Sequence, residues 1–277
     1  MLGGIGFFVL VSVFPLAAPA DPVSDVPFVQ EYHEAYRLHH AGKSHDVYAV
    51  AADREGQIWA GTKAGAYLLE KGEKRWKSAM HTEDEGPVFD LLVDRDGVVW
   101  AGAWNGLYKA VDAKFDRIET VDDPIAALCE TEAGIVAVGP DGIWECRDSE
   151  FRRSDLPCAQ SIRAALPGAS GGYYIGTANG LFFRGMADRL YQSESDILTA
   201  EARGMTYGKD GTLWVVGNGG ATLYRDGERT GHFKAGEGVL PTPSLQCAAC
   251  DADGMIWIGT ASGVVRYAGG KWSLRRS

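Results

Sequence analysis

From Val47 to Gly65 the chain reads VYAVAADREGQIWAGTKAG. Val88 to Gly106 reads VFDLLVDRDGVVWAGAWNG, and Leu245 to Gly263 reads LQCAACDADGMIWIGTASG, both aligning with it without a gap. Weaker copies are IAALCETEAGIVAVGPDG from Ile125, GGYYIGTANG from Gly171 and GMTYGKDGTLWVVGNGG from Gly204. The second glycine of each copy falls at Gly61, Gly102, Gly139, Gly176, Gly217 and Gly259, giving successive spacings of 41, 37, 37, 41 and 42 residues. A period in this range marks a chain built by repeating one supersecondary unit.

Each copy reads as four short strands. In the first, an apolar run over Val47–Asp53 closes in an Asp-x-x-Gly turn at Gly56, and Gln57–Thr62 follows as the second strand. A short loop ending at Gly65 leads to Ala66–Glu70, and a Lys71-Gly72-Glu73 turn to Lys74–Ser78. Hairpin signals at such even spacing predict an all-β β-propeller of six four-stranded blades, or seven if the N-terminal segment forms a partial blade. A lone blade leaves both faces uncovered, whereas blades packed radially cover one another. Composition agrees: 36 of 277 residues are glycine, which turns favour and helix interiors do not.

Residues 1–20 carry an apolar run from Ile5 to Leu16 followed by Ala18-Pro19-Ala20, and read as a signal peptide cleaved before Asp21. The run of about twelve residues is short for a membrane span, although no Lys or Arg precedes it, so an uncleaved anchor is the alternative. The expected organisation is a signal peptide (1–20), an N-terminal segment (21–45) that could supply a ring-closing strand, and the propeller (46–277). FVQEYHEAYRLHH at Phe28–His40 suits a closing strand, a partial blade or a short helix. The mature protein is expected to be soluble and periplasmic or secreted, with no membrane contact. A formal net charge of −10 argues against nucleic acid as a partner.

The string Asp-x-Asp/Glu-Gly-x-Ile/Val-Trp-x-Gly-Thr-x-x-Gly-Leu/Val resembles the two-component-regulator propeller repeat, most strongly at Asp53–Gly65, Asp94–Leu107 and Asp251–Val264. That resemblance implies a periplasmic sensor-type propeller, of the kind that responds to polysaccharide fragments in bacterial hybrid histidine kinases. Those sensors carry many more repeats, then a membrane helix and kinase domains. Here Lys271–Arg275 completes the sixth repeat near the C-terminus, so signalling is expected to run through another chain.

Trp59, Trp100, Trp214 and Trp257 recur at one position, with Tyr174 in the fourth copy, and periodic placement points to packing between blades. Trp104 stands outside that pattern, beside Asn105 in a loop between second and third strands. Such loops should share a face with the connections between blades, while the Asp-x-x-Gly turns lie opposite; the first face is the expected ligand face. Stacking on Trp104 with hydrogen bonds from Asn105 suits a carbohydrate; the alternative is a contact between loops. Neighbouring loops offer Lys63 and Asn179. At the start of the innermost strands the matched positions are Tyr48, Phe89, Ala126, Arg163, Arg203 and Gln246, the row expected at the channel mouth. Arg163 and Arg203 suit a carboxylate or sulfate, or pair with Glu201 or Asp196.

No catalytic triad order, His-Glu-x-x-His, phosphate loop or dinucleotide fingerprint occurs, and no catalytic residue, metal site or cofactor is assigned. Four histidines lie between His33 and His45, and Cys247 and Cys250 have CxxC spacing without a second ligand pair; surface histidines and small buried thiols are the simpler readings. The expected function is non-enzymatic binding of a small molecule, plausibly a glycan fragment, or of a protein such as a separate membrane sensor. A propeller lyase or hydrolase with a metal-assisted site at the channel mouth, and a protein-docking scaffold, are the alternatives.

Overall fold

The computed structural model describes residues 46–80, 86–155, 161–169, 171–185, 189–192, 201–234, 240 and 244–275. The signal peptide, the N-terminal segment, His81, Cys158 and Asp196 lie outside the described residues. Six antiparallel sheets of four strands follow one another along the chain, each with its strands in sequence order, and the described residues contain no helix.

Sheet 1 comprises β1 (Val47–Ala52), β2 (Ile58–Thr62), β3 (Gly65–Leu69) and β4 (Lys77–Ser78). Sheet 2 has β5 (Val88–Val93), β6 (Val99–Ala103), β7 (Gly106–Val111) and β8 (Lys114–Arg117); sheet 3 has β9 (Ala127–Thr131), β10 (Gly134–Gly139), β11 (Gly142–Arg147) and β12 (Glu150–Ser154). Sheet 4 has β13 (Ile162–Pro167), β14 (Tyr173–Thr177), β15 (Gly180–Arg184) and β16 (Arg189–Gln192). Sheet 5 has β17 (Gly204–Tyr207), β18 (Leu213–Gly217), β19 (Gly220–Arg225) and β20 (Glu228–Lys234). Sheet 6 has β21 (Leu245–Cys250), β22 (Ile256–Thr260), β23 (Gly263–Ala268) and β24 (Lys271–Arg275). The strands expected in the first repeat are all present, the fourth shortened to the two residues that pair with Leu68 and Tyr67.

First strands pack on first strands: β1 on β5, β5 on β9, β9 on β13, β13 on β17 and β17 on β21. They line the inside of a propeller-like arc. Between sheets the core is aromatic. Trp59 meets Phe115 of the next sheet at 5.2 Å, Trp100 meets Phe151 at 6.0 Å, and Trp214 meets Trp272 at 6.1 Å, each edge-on. Edge-on rings add about 1 kcal/mol beyond the area they bury. At Trp59, Trp100 and Trp214 the recurring second-strand residue is therefore an inter-sheet one, as its periodicity implies, whereas half-buried Trp257 and Tyr174 meet Arg266 and Phe183 of their own sheets.

The aspartate of the Asp-x-x-Gly turn has two tasks. Asp94 Oδ1 accepts the amides of Asp96 and Val98, closing the turn, and its Oδ2 accepts the indole N–H of Trp100 at 2.8 Å. Asp53 and Asp251 hold Trp59 and Trp257 in the same way, at 2.8 and 2.7 Å. The turn closes on a glycine with positive φ, +86° at Gly97, where a side chain would be strained. The later glycine of the motif has a different cause. A Cβ on Gly102 would stand 2.8 Å from Ile125 Cγ2, because the next sheet's first strand enters directly over it.

Candidate functional site

Four matched hydrogen bonds establish which loops share an end of the sheets. The amides of Lys63, Trp104, Ala178 and Ala261, in the loops between second and third strands, donate to the carbonyls of Asp46, Pro87, Ser161 and Ser244. Each acceptor lies at the entry of its own sheet's first strand. These loops and the inter-sheet connections therefore lie together, with the Asp-x-x-Gly turns at the other end of the same strands.

The row of first-strand residues expected at the mouth has a distinctive backbone. Pairing with the second strand skips one residue between Val47 and Ala49, Val88 and Asp90, Ile162 and Ala164, and Leu245 and Cys247. The skipped residues are Tyr48, Phe89, Arg163 and Gln246. A bulge leaves its extra residue outside the ladder and re-aims its side chain. Ala126 and Arg203 hold the matched place in sheets 3 and 5, where their amides donate to Val138 and Val216.

The polar members of this row form one network. Glu201, almost fully buried, lies 2.9 Å from Arg163 Nε and accepts from Arg203 Nε at 2.8 Å. Asn218 donates to the same carboxylate at 2.9 Å. Arg203 Nη1 and Gln246 Nε2 both donate to Ser244 Oγ, at 3.0 and 2.7 Å. Two guanidiniums share one carboxylate, which leaves the cluster one positive charge in excess. The Oε1 acceptor of Gln246 is buried and makes no hydrogen bond among the described residues.

Tyr48 and Phe89 lie side by side, with ring centroids 5.9 Å apart. Trp104 is 62 % exposed, whereas Trp59, Trp100 and Trp214 are buried. Beside it, the Oδ1 of half-buried Asn105 is a second buried acceptor that makes no hydrogen bond among the described residues. Lys63 and Asn179 are exposed on their loops. Glu201 brings Arg163 and Arg203 together, Ser244 joins Gln246 to them, and the loop residues share this end of the sheets.

Asp90 escaped the sequence reading. It follows the bulge on β5, where the other sheets carry Ala49, Ala127, Ala164, Gly204 and Cys247. Burial pushes its carboxyl up to about 7, against the lowering effect of amides donated by Leu128 and Leu91. Nearby Cys129 is pushed up to about 12 by burial and then by the Asp90 charge. The signal was present as one acidic residue in a column of small ones.

Other chemistry-bearing residues lie elsewhere. Cys129, Cys146 and Cys250 are free thiols, and Cys247 and Cys250 both lie on β21. His232 is on the outer strand β20, with Nδ1 3.1 Å from Thr222 Oγ1. At the opposite end of the sheets, a cavity of about 1290 Å³ opens beneath the first turns of sheets 3, 4 and 5.

No known family description matches this chain, and no curated protein is similar to it in sequence. Solved structures share the fold. A streptogramin B lyase superposes with a TM-score of 0.69 at 17% identity, over 83% of each chain. The extracellular domain of a hybrid two-component system from B. thetaiotaomicron, BT4673, gives 0.66 at 16%, over 86% of this chain and 34% of that one. The WD40 propeller domain of Doa1 gives 0.61 at 14%, over 83% and 79%. At such identities the likeness is one of fold, and sensor-type and enzyme propellers are both among these structures; this chain is an all-β protein of propeller-like architecture, similar to the extracellular domains of two-component sensors.

Proposed function

We propose that this protein is an exported, non-enzymatic binding module: a propeller of six blades that captures a small ligand, a glycan fragment in the first instance, at the channel mouth. The observation that carries this reading is the set of bulges that turns Tyr48, Phe89, Arg163 and Gln246 out of their ladders at the end where Trp104 is exposed. Aromatic faces and a guanidinium cluster with surplus charge are complementary to a hydroxyl-rich ring bearing an acidic group. Among the described residues the succession of first-strand contacts runs from β1 to β21 without a comparable contact from β21 back to β1. Export is read from the signal-like segment at residues 1–20.

The fold likeness to a streptogramin B lyase supports a second reading, a metal-assisted lyase or hydrolase at the same mouth. A thermal-shift panel of neutral and acidic oligosaccharides and divalent ions separates them. Stabilisation by a saccharide that is lost in Trp104→Ala is the expected result. Turnover that needs a histidine and a divalent ion would establish the enzyme instead. Silence across the panel, with capture of a membrane sensor domain, would leave the protein-docking scaffold.

A further inference from the structure

The cavity at the end opposite the mouth has an origin in broken repeats. It lies beneath the three sheets that lack the turn aspartate, where Thr131, Gly168 and Gly208 stand in its place. The described residues of the first turn of sheet 4 are instead Pro167-Gly168-Ala169 and Gly171-Gly172. Gly172 adopts a φ of +71°, and a Cβ there would stand 2.1 Å from the Arg184 carbonyl oxygen. The turn therefore lies close on its own sheet with almost no side chains to fill the space below.

A second departure falls at the same interface. Phe115, Phe151 and Trp272 reach the preceding sheet's tryptophan from positions paired with Ala110, Cys146 and Tyr267. In sheet 5 the residue in that register, paired with Tyr224, is Arg229, and it is exposed. At that register β20 thus supplies no ring toward sheet 4, its half-buried His232 lying further along the same face beside Thr222. Half-buried Phe183 and Tyr207 line the cavity there, with Tyr224 at its wall.

We propose that this cavity is a second binding site, for a small uncharged aromatic compound of the phenol or indole type, whose ring takes the place of the missing one. An uncharged ligand fits a rim that carries both signs of charge: Arg95 pairs with Glu130 at 2.5 Å and Arg147 with Glu145 at 3.2 Å, while Arg184, Glu132 and Asp226 also line it. The Tyr207 hydroxyl accepts the Ala169 amide at 3.1 Å and so retains its own proton to donate to the ligand. Glu145, which accepts the Tyr173 hydroxyl at 3.0 Å, offers a carboxylate to a phenol O–H or indole N–H. The remaining space admits substituents on the ring, since the volume exceeds that of an ordinary small-molecule pocket.

The test is calorimetric titration of the full chain with indole and with phenol, alongside thermal melts. Saturable binding in the wild type, weakened at least tenfold in Arg229→Trp, is the expected result. That substitution supplies the missing ring from the protein itself, so it should raise Tm without ligand. Phe183→Ala, checked by circular dichroism, should also weaken binding at least tenfold, and Trp104→Ala should leave it within twofold. Absence of saturable binding, unchanged affinity in Arg229→Trp, or loss of binding in Trp104→Ala would each overturn the proposal.

Discussion

The Nε of Arg203 lies 2.8 Å from Oε2 of Glu201, and this contact anchors the polar cluster at the end of the sheets where we propose a ligand binds. Arg163 holds the other carboxylate oxygen, so neither guanidinium is bare and their orientation is set before any ligand arrives. Removing the charge between them leaves two cations facing one another. Glu201→Gln should lower the unfolding free energy by about 3 kcal/mol, read from urea denaturation, because it breaks a buried pair by deleting one partner. A loss below about 1 kcal/mol would mean that solvent already screens the pair.

Asp94 and Trp100 form a clamp whose cost of removal can be apportioned. Asp94→Ala deletes an acceptor for two turn amides and one indole N–H, and should cost about 2 to 3 kcal/mol. Trp100→Phe removes only the indole bond along with some ring area. A double-mutant cycle in urea should return a coupling near 1 kcal/mol; zero coupling would make the clamp a turn device alone.

Asp90 predicts a pH dependence with a definite sign. Its folded-state value of about 7 lies above the ordinary value near 4, so the native state binds this proton more tightly than the unfolded chain. The resulting stability is fully present below about pH 4 and is lost as pH rises through about 7. Unfolding in urea at pH 5.0 and 8.0 should show wild-type stability falling by an amount on the order of a few kcal/mol. In Asp90→Asn that fall should shrink, leaving the variant more stable than wild type at pH 8.0.

The glycine after the Trp-x pair is required by its neighbour rather than by its own backbone. Gly102→Ala places a methyl group against Ile125 and should destabilise by about 1 to 3 kcal/mol through overpacking. Ile125→Leu in the same chain, which removes the β-branch that carries the crowding Cγ2, should recover part of the loss, measured as a rise in the urea midpoint. No recovery would place the strain on the nearby Ile125 carbonyl instead.

Much of this was legible because the repeat exposes its own logic. Trp59, Trp100 and Trp214 recur at one register, and a residue that recurs with the fold builds the fold; all three are buried between sheets. Trp104 broke the register and proved exposed. The bulges at Tyr48, Phe89, Arg163 and Gln246 were not legible, since a skipped ladder residue leaves no mark on apolar alternation. Glu201 was one of two acids weighed as a partner for Arg163 and Arg203, and only the path of the chain into β17 brings it between them. The cavity beneath sheets 3 to 5 was written as missing aspartates and as Arg229 in a ring position, but its meaning required knowing that the ring at that register crosses to the preceding sheet.

Trp104 emission tests the central claim most directly, because this indole is 62 % exposed while Trp59, Trp100 and Trp214 are buried. Titration with the saccharide that most stabilises the protein should shift the emission to shorter wavelength and saturate at the calorimetric Kd. The shift should vanish in Trp104→Phe and persist in Arg229→Trp. A ligand that binds and stabilises the protein equally well in Trp104→Phe, with no change in wild-type emission, would contradict binding at the channel mouth.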